Sequence, residues 1–300
     1  MSESKVQEQI IIEREFEEKG KIGLRRDFTQ IYDTIIFEIK RNWKSFVILL
    51  MVFFGIFLLT LILNEIQEAQ EIEPPDEAID YIEEYFGMIG LLIIVSTATL
   101  GASIIVEDFH KQTGNLLFPK ISKSRLIIAR VISHYALNAI LIIFYYILVA
   151  SITNYKYQEI PETLYDSLGW ALLYTFMIFS FIVFMSSISR NKATAIIVSI
   201  LLLLIAFNII NSILMFSRTG IEPWFILTYY ENIITASLDM PDPRYEDVSF
   251  GPPDPNNDRP EFRRWLTPST SGALSGMIFF SIIFLTAAYL IYKMRQSKNE

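Results

Sequence analysis

Residues 43–63, WKSFVILLMVFFGIFLLTLIL, form an apolar stretch of 21 residues in which Lys44, near its edge, is the only charged side chain. An α-helix rises about 1.5 Å per residue, so this stretch is roughly 30 Å long as a helix, and roughly 30 Å is the thickness of a bilayer's hydrocarbon core. The stretch therefore predicts a membrane-spanning helix.

Five more stretches of the same kind follow, separated by the charged residues of the chain. The predicted spans are 43–63, 86–106, 131–152, 168–187, 193–216 and 272–292. They predict an all-α, polytopic membrane protein with a six-helix transmembrane domain over residues 43–292. A net charge of −8 argues against a nucleic-acid partner, and the absence of cysteine excludes disulfides and thiolate metal sites.

Basic residues are distributed unequally between the segments that join the spans. Residues 1–44, 107–130, 188–192 and 293–300 together carry 19 of the 25 Lys and Arg. Because cytoplasmic loops are enriched in Lys and Arg, we expect both termini to be cytoplasmic, in a multi-pass protein of the cell membrane surrounded by lipid. The tails 1–26 and 293–300 then lie inside the cell, and the loop 217–271 lies outside.

A helical stripe precedes the first span, over residues 27–42. Its apolar members recur at helical spacing: Phe28, Ile31, Tyr32, Ile35, Ile36, Ile39 and Trp43. The opposite face carries Gln30, Asp33, Glu38, Lys40 and Arg41. This pattern predicts an amphipathic helix that lies in the cytoplasmic interface and turns into the first span at Trp43. The alternative is a helix packed on a soluble domain, for which little chain is left.

The long loop 217–271 divides into two parts. Residues 222–238, EPWFILTYYENIITASL, are too interrupted by polar residues to span, so we expect a short interfacial helix or a re-entrant hairpin. Residues 240–260 hold six of the twelve prolines and are expected to be irregular.

The sequence lacks the residues that several kinds of membrane-protein chemistry require. The centres of the six spans contain no Asp, Glu, Lys or Arg, which argues against a self-powered secondary transporter. His110 and His134 form no zinc-protease motif and are expected to be ordinary solvated or interfacial side chains. No GxxxxGK[ST] loop is present, so we expect no cofactor in this chain; if the protein is powered by ATP, the ATP and its magnesium have to bind to a partner subunit.

The segment between the second and third spans, IIVEDFHKQTGNLLFPKISKSRLIIARV at 104–131, has a different character. The second span should run on into the cytoplasm and break near Gly114, and a short helix over 115–118 should end at Pro119. Ser122 is placed to cap the next helix. An apolar stub with a basic rim is typical of a docking site, although it could also pack beneath the bundle.

At these residues the sequence resembles the membrane subunits of type-2 ABC exporters, the ABC-2 permeases. The family's first cytoplasmic loop has an acidic residue, a basic-Gly-Thr turn, a leucine pair, then proline, an aliphatic residue, serine and a basic residue. The matching positions are Glu107, Gly114, Leu116, Leu117, Pro119, Ile121, Ser122 and Lys123. Two positions depart from the pattern, since Thr113 precedes the glycine and Arg130 stands where a lysine is usual. The elbow helix, six spans and tight inner turn at 188–192 are family traits as well.

The resemblance implies a permease subunit that works as a homodimer, or paired with a similar chain, above two copies of an ABC ATPase subunit. Residues 115–118 would be its coupling helix, within a coupling segment 107–125. The implied ATPase contact comprises Glu107, Asp108, Gly114, Asn115, Leu116, Leu117, Phe118, Pro119, Ser122, Lys123 and Arg125. In the family the transport path lies at the dimer interface, between the second and fifth spans. The polar residues there are Ser96, Thr97, Thr99, Ser103, Asn208, Asn211 and Ser212, which could equally serve helix packing.

Two other functions compete with an ATP-driven exporter. A non-transporting membrane anchor or sensor could use the same architecture, and a membrane-embedded enzyme is the more distant alternative. The missing nucleophile, metal set and acid-base pair argue against the enzyme. The substrate, whether lipid, drug, peptide or glycan, is left open.

Overall fold

A computed structural model gives the fold of the protein. It describes the backbone of residues 3–70, 75–107, 123–216, 220–249 and 261–297, and within them the side chains of 28–70, 75–107, 125–214, 220–248 and 263–295. The helices are α1 (Glu3–Ala69), α2 (Ala78–Phe86), α3 (Ile89–Gly101), α4 (Lys123–Tyr157), α5 (Thr163–Ile188), α6 (Lys192–Leu201), α7 (Phe207–Phe216), α8 (Asn232–Ala236) and α9 (Thr270–Ser297). A π-helical turn at Leu202–Ala206 joins α6 to α7, and a 3-10 turn at Leu227–Glu231 leads into α8.

Six helices among the described residues are long and apolar enough to cross a membrane, as the sequence predicts. They are α1 from Phe28 onward, α2 with α3, α4, α5, α6 with α7, and α9. The protein is therefore an all-helical polytopic membrane protein, apart from one small hairpin.

The bundle is built around α3 and α5. The α3 helix contacts α1, α4, α5 and α6, while α5 packs along α9 and α1 packs along α4. Ile93 of α3, Leu141 of α4 and Ile178 of α5 are fully buried in this core. The outer helices α1, α6 and α9 keep large apolar side chains exposed, as expected for surfaces that face lipid.

The α1 helix differs from the predicted elbow in two respects. It continues without a break through Trp43, so that residue is not a helix end. The predicted apolar stripe is also only partly covered by the protein: Phe28 is 71% exposed and Ile39 packs against the core, whereas Thr34, Glu38 and Asn42 are buried. The sequence predicted that Glu38 faces water, whereas in the structure Glu38 lies on the side of the helix that faces the bundle.

The second span also departs from its predicted course. Its regular helix ends at Gly101, and residues 102–105 form turns instead of continuing as a helix toward Glu107. The break leaves backbone N–H and C=O groups without their helical partners. Side chains from α4 and α5 form hydrogen bonds with these groups, so the fold stabilises the break.

The loop between α7 and α9 is more ordered than its prolines predict. Residues 227–236 form the 3-10 turn and α8, which bury Leu227, Tyr230 and Ile233 against the bundle. The segment 240–260, expected to be irregular, contains β1 (Tyr245–Ser249), which pairs in antiparallel register with β2 (Glu261–Trp265). The prediction was wrong there because the partner strand lies beyond the proline-rich stretch.

Candidate functional site

The predicted coupling segment falls mostly outside the described residues. Asp108, Gly114, Asn115, Leu116, Leu117, Phe118, Pro119 and Ser122 lie there, as does His110, and for Lys123 only the helical backbone is described. The described residues that flank the segment are Glu107 on one side and Arg125 on the other. These two are the described residues nearest to the predicted coupling segment whose side chains can be examined.

Both flanking residues contact the same helix. Arg41 Nη1 of α1 lies 3.8 Å from Glu107 Oε2, and Arg125 Nη1 donates a hydrogen bond to Gln30 Oε1 at 3.1 Å. The two contacts are 11 residues apart on α1, or about three turns of helix. The chain is thus tied to α1 through Glu107 and again through Arg125.

A buried ion pair lies between these two ties. Arg130 Nε of α4 donates to Glu38 Oε1 of α1 at 3.0 Å, and the side chains are only 2% and 1% exposed. Arg41 Nη2 lies 2.6 Å from the other oxygen of Glu38. A buried charge is strongly unfavourable without a partner, so the three side chains have to remain together.

The same arginine holds the break after α3. Arg130 Nη1 donates to the carbonyl oxygen of Ile104 at 2.8 Å. Ser186 Oγ of α5 accepts from the N–H groups of Ile105 and Val106 at 3.2 and 3.1 Å, and donates to the carbonyl of Ala102 at 2.8 Å. Two side chains from neighbouring spans thus replace the hydrogen bonds that a continuing helix would have made.

One turn further along α4, His134 is fully buried, which corrects the expectation of a solvated or interfacial ring. Its Nε2 lies 3.0 Å from Asn42 Nδ2, and its Nδ1 lies 2.8 Å from the carbonyl oxygen of Arg130. An amide nitrogen donates and a carbonyl accepts, so these contacts fit a neutral ring with its proton on Nδ1. The histidine extends the contact between α1 and α4 as a structural group.

A second arginine fixes the end of α5. Arg295 Nη1 of α9 donates to the carbonyl oxygens of Ser187 and Ser189 at 2.7 and 3.1 Å. A cation at the C-terminus of a helix also interacts favourably with the helix dipole. The break, α4, α5 and α9 are therefore joined on the side of the bundle that carries Glu107.

We call the side chains of Glu38, Arg41, Arg130 and Ser186 the basal cluster. They connect α1, the break after α3, α4 and α5 on the side of the bundle that carries Glu107. Within the part of the chain that the structure describes, no group of three or more His, Asp or Glu could hold a metal ion. The cluster has the features of a structural joint, because its hydroxyl group is bonded to the backbone of the break and its carboxylate is paired with two guanidinium groups.

Sequence reasoning missed the basal cluster by assigning Glu38 to a solvated face. A signal was available in the buried apolar side chains of the first span, Phe46, Leu49 and Phe53. Continued backward at intervals of three to four residues, this series runs through Asn42 and Glu38. A polar stripe that continues a buried apolar stripe indicates polar side chains that face the bundle.

The predicted path residues of the second span lie inside the fold. Ser96, Thr97 and Ser103 are buried, and Thr99 is half-buried. The hydroxyl groups of all four donate to backbone carbonyls three or four residues earlier. This bonding is what helix packing in membranes requires, so the geometry favours the packing alternative for these side chains.

The predicted path residues of the fifth span lie on the outside of the bundle. Asn208, Asn211 and Ser212 are exposed on α7, directly after the π-helical turn. Asn208 and Ser212 donate to backbone carbonyls one turn back. The structure does not bring this set together with the buried hydroxyl groups of α3. Exposed amides on a span fit a protein interface or a water-filled path better than lipid.

A polar cavity of about 630 Å³ lies at the other end of the bundle from the basal cluster. Asn211 and Ser212 of α7 form one wall, and the hairpin contributes Arg263 and Trp265. Acidic side chains enter from Glu83 of α2 and Asp239 after α8. The cavity connects the exposed face of the fifth span with the long loop.

No protein-family model matches the chain, and no curated protein is significantly similar to it.

Proposed function

We propose that the chain is the permease subunit of an ABC-2 type exporter, which converts ATP hydrolysis on a separate ATPase subunit into substrate movement across the membrane. The motif at residues 107–123 suggests the family, and the six apolar helices are compatible with it. The proposal includes cytoplasmic termini, an elbow function for residues 27–42 and a location in the cell membrane.

The observation that supports this function best is the basal cluster, together with the contacts of Glu107 and Arg125 on either side of the predicted coupling helix. A force applied to the segment would reach α1 through Glu107 and Arg125, whose contacts with Arg41 and Gln30 tie both ends to that helix. It would reach α4 through the buried pair of Arg130 and Glu38. Packed helices that are joined in this way move as a unit, which is how a coupling segment has to act.

The proposed dimer uses the outward face of α7. Exposed amides in a span are costly in lipid, and a second copy or a water-filled path between two copies would remove that cost. In this arrangement Asn208, Asn211 and Ser212 face the partner subunit or the substrate, and the π-helical turn beside them is the kind of irregularity often found at functional sites.

The test is copurification from native membranes with a tag on the C-terminus. An exporter or an ABC-like sensor should bring down a P-loop ATPase in a ratio near one to one, whereas a membrane-embedded enzyme should not. A tagged six-span protein of unrelated sequence from the same membranes serves as the control. Recovery of no ATPase in mild detergent or in lipid nanodiscs would overturn the proposal.

ATP turnover separates the exporter from the sensor. The reconstituted complex should hydrolyse ATP faster when a lipid or drug substrate is supplied, and labelled substrate should move across the vesicle membrane. ATP hydrolysis that never responds to any of these substrate classes would favour the anchor or sensor.

A further inference from the structure

Glu231 is an acidic side chain that the long loop inserts among the spans. It ends the 3-10 turn Leu227–Glu231, which packs against α5 together with α8. Tyr174 Oη of α5 donates to Glu231 Oε2 at 3.4 Å. On the other side the carboxyl group lies on the backbone of Gly90 in α3, so closely that a Cβ atom at Gly90 would overlap it. The carboxyl group thus occupies a slot between α3 and α5.

The carboxyl group of Glu231 has no basic partner in the part of the chain that the structure describes. Among the described residues, no Lys, Arg or His lies within ion-pair distance of Glu231. The titratable group that faces it from α5 is Tyr174, and α3 faces it with Gly90, which has no side chain. The loop's own Arg244 is instead directed to Glu222, at 3.4 Å. Burial accordingly raises the pKa of Glu231 to about 7, although the hydrogen bond from Tyr174 acts in the opposite direction.

We propose that Glu231 is a proton-binding site whose protonation keeps residues 227–236 seated between α3 and α5. The carboxylate takes its proton from a hydronium ion, which is left as water. Asn232, the next residue, lines the 630 Å³ cavity, so water reaches the neighbouring position in the chain. The inference does not depend on an ATPase partner and goes beyond the function proposed above.

The slot fits a proton better than a larger cation. Its polar groups are one carboxyl and one phenol, whereas calcium takes six to eight oxygen ligands and magnesium about six. The backbone of Gly90 fills the space on the far side of the carboxyl group. A proton needs only one oxygen and adds almost no volume.

Ionisation should loosen the segment, because an unpaired carboxylate is far less favourable out of water than the neutral acid. The other attachments of the segment do not depend on the charge of Glu231. Ser167 Oγ donates to the carbonyl of Ile234 at 2.7 Å, and Tyr230 Oη donates to that of Trp224 at 2.6 Å. Tyr229 Oη donates to Glu222 Oε1 at 3.1 Å, and Arg244 pairs with that carboxylate. Since the pKa is higher in the seated state than in water, the seated state is favoured at low pH. It loses stability as the pH rises from about 4.5 through about 7.

The first measurement is hydrogen exchange of the full-length chain in nanodiscs between pH 5.5 and 8.5, corrected for the intrinsic exchange rate. Peptides covering residues 227–236 should lose protection at least tenfold as the pH rises. Glu231→Gln should stay protected throughout, while the control Glu246→Gln, at an exposed residue of the same loop that pairs with Arg264, should behave like the wild type. Protection that is independent of pH in the wild type, or equally dependent on pH in Glu231→Gln, would overturn the proposal.

The second measurement needs no variant. Dicyclohexylcarbodiimide reacts with protonated carboxyl groups in apolar surroundings: the carboxyl oxygen bonds the central carbon and the proton goes to a nitrogen. Mass spectrometry should find Glu231 modified several-fold more at pH 6 than at pH 8.5, with little modification of Glu222 at either pH. Absence of modification at Glu231, or modification of the two residues to the same extent, would contradict the site.

Discussion

The guanidinium of Arg130 lies 3.0 Å from the carboxylate of Glu38, and both side chains are buried where α4 meets α1. The same guanidinium donates to the carbonyl of Ile104, in the break after α3. One side chain thus joins three spans close to Glu107, the last described residue before the predicted coupling helix. A buried ion pair does not by itself show that a protein is more stable. Its contribution to the free energy of unfolding has to be measured by replacing one partner and then both.

Arg130→Met should destabilise the protein by about 3–5 kcal/mol, since it leaves Glu38 buried with Arg41 as its remaining partner. Adding Glu38→Leu should recover part of that loss, because no uncompensated charge remains. Thermal unfolding in detergent, followed by tryptophan fluorescence, measures both effects. As the control, Arg264→Met breaks an exposed pair with Glu246 and should cost roughly 1 kcal/mol or less. Additive effects of the two buried substitutions would show that the pair does not act as a unit.

Ser186→Ala should loosen the break after α3. It removes the acceptor for the N–H groups of Ile105 and Val106, and a buried polar group without a partner costs about 1–3 kcal/mol. Hydrogen exchange in peptides covering residues 102–107 should rise more than tenfold. Ser275→Ala removes an exposed serine that bonds its own helix α9 and should leave exchange unchanged. Equal exchange in both variants would mean that the break is stabilised without Ser186.

The spans were predictable from the sequence because crossing a bilayer demands an apolar length that few other structures need. Helix α5, for example, covers Thr163–Ile188 around the predicted span 168–187. The long-range features were not predictable. Glu38 was assigned to water because the amphipathic pattern cannot tell whether lipid or water surrounds a helix. Glu231 was missed because the local sequence of a loop does not show which spans it will enter.

Gly276→Ala should displace the long loop from α9. A Cβ atom at Gly276 would overlap the ring of Tyr230, whose hydroxyl group bonds the carbonyl of Trp224. We expect a loss of about 1–3 kcal/mol from this overpacking and faster proteolysis between residues 220 and 240. Gly169→Ala is the matched control, because nothing lies within 4 Å of a Cβ atom at that helical position. It should be neutral or stabilise α5 by up to about 1 kcal/mol. If Gly169→Ala were more destabilising than Gly276→Ala, the result would contradict the packing of Tyr230 against α9.

The proposed orientation rests on the bias of Lys and Arg and is testable with single cysteines, since the chain has none. A membrane-impermeant thiol reagent on intact cells should label cysteine at positions 73 and 256. It should spare cysteine at positions 120 and 190 until the cells are lysed. Labelling of position 120 or 190 in intact cells would reverse the topology and with it the cytoplasmic position of residues 108–122.

The last prediction concerns energy coupling through Leu117 in the proposed coupling helix. If this side chain docks in an apolar groove of the ATPase, Leu117→Asp would bury an unpaired carboxylate there. The cost should be about 3–5 kcal/mol, which weakens binding by two to four orders of magnitude. Leu117→Ala should lose about 1–3 kcal/mol of apolar contact and weaken the complex more mildly. Membrane insertion should be unaffected, because the segment between the second and third spans is not part of either span.

The control for this prediction is Ile160→Asp, which adds the same charge in the turn between α4 and α5, where the side chain is already exposed. On the proposed topology that turn lies on the opposite side of the membrane from the ATPase. Both variants should be expressed at the wild-type level, and only Leu117→Asp should lose the ATPase in pull-downs and stimulated ATP turnover in lipid. If Leu117→Asp binds and hydrolyses like Ile160→Asp, residues 115–118 are not the coupling site. The resemblance to ABC-2 permeases would then lose its main support among individual residues, even if an ATPase still copurifies through another surface.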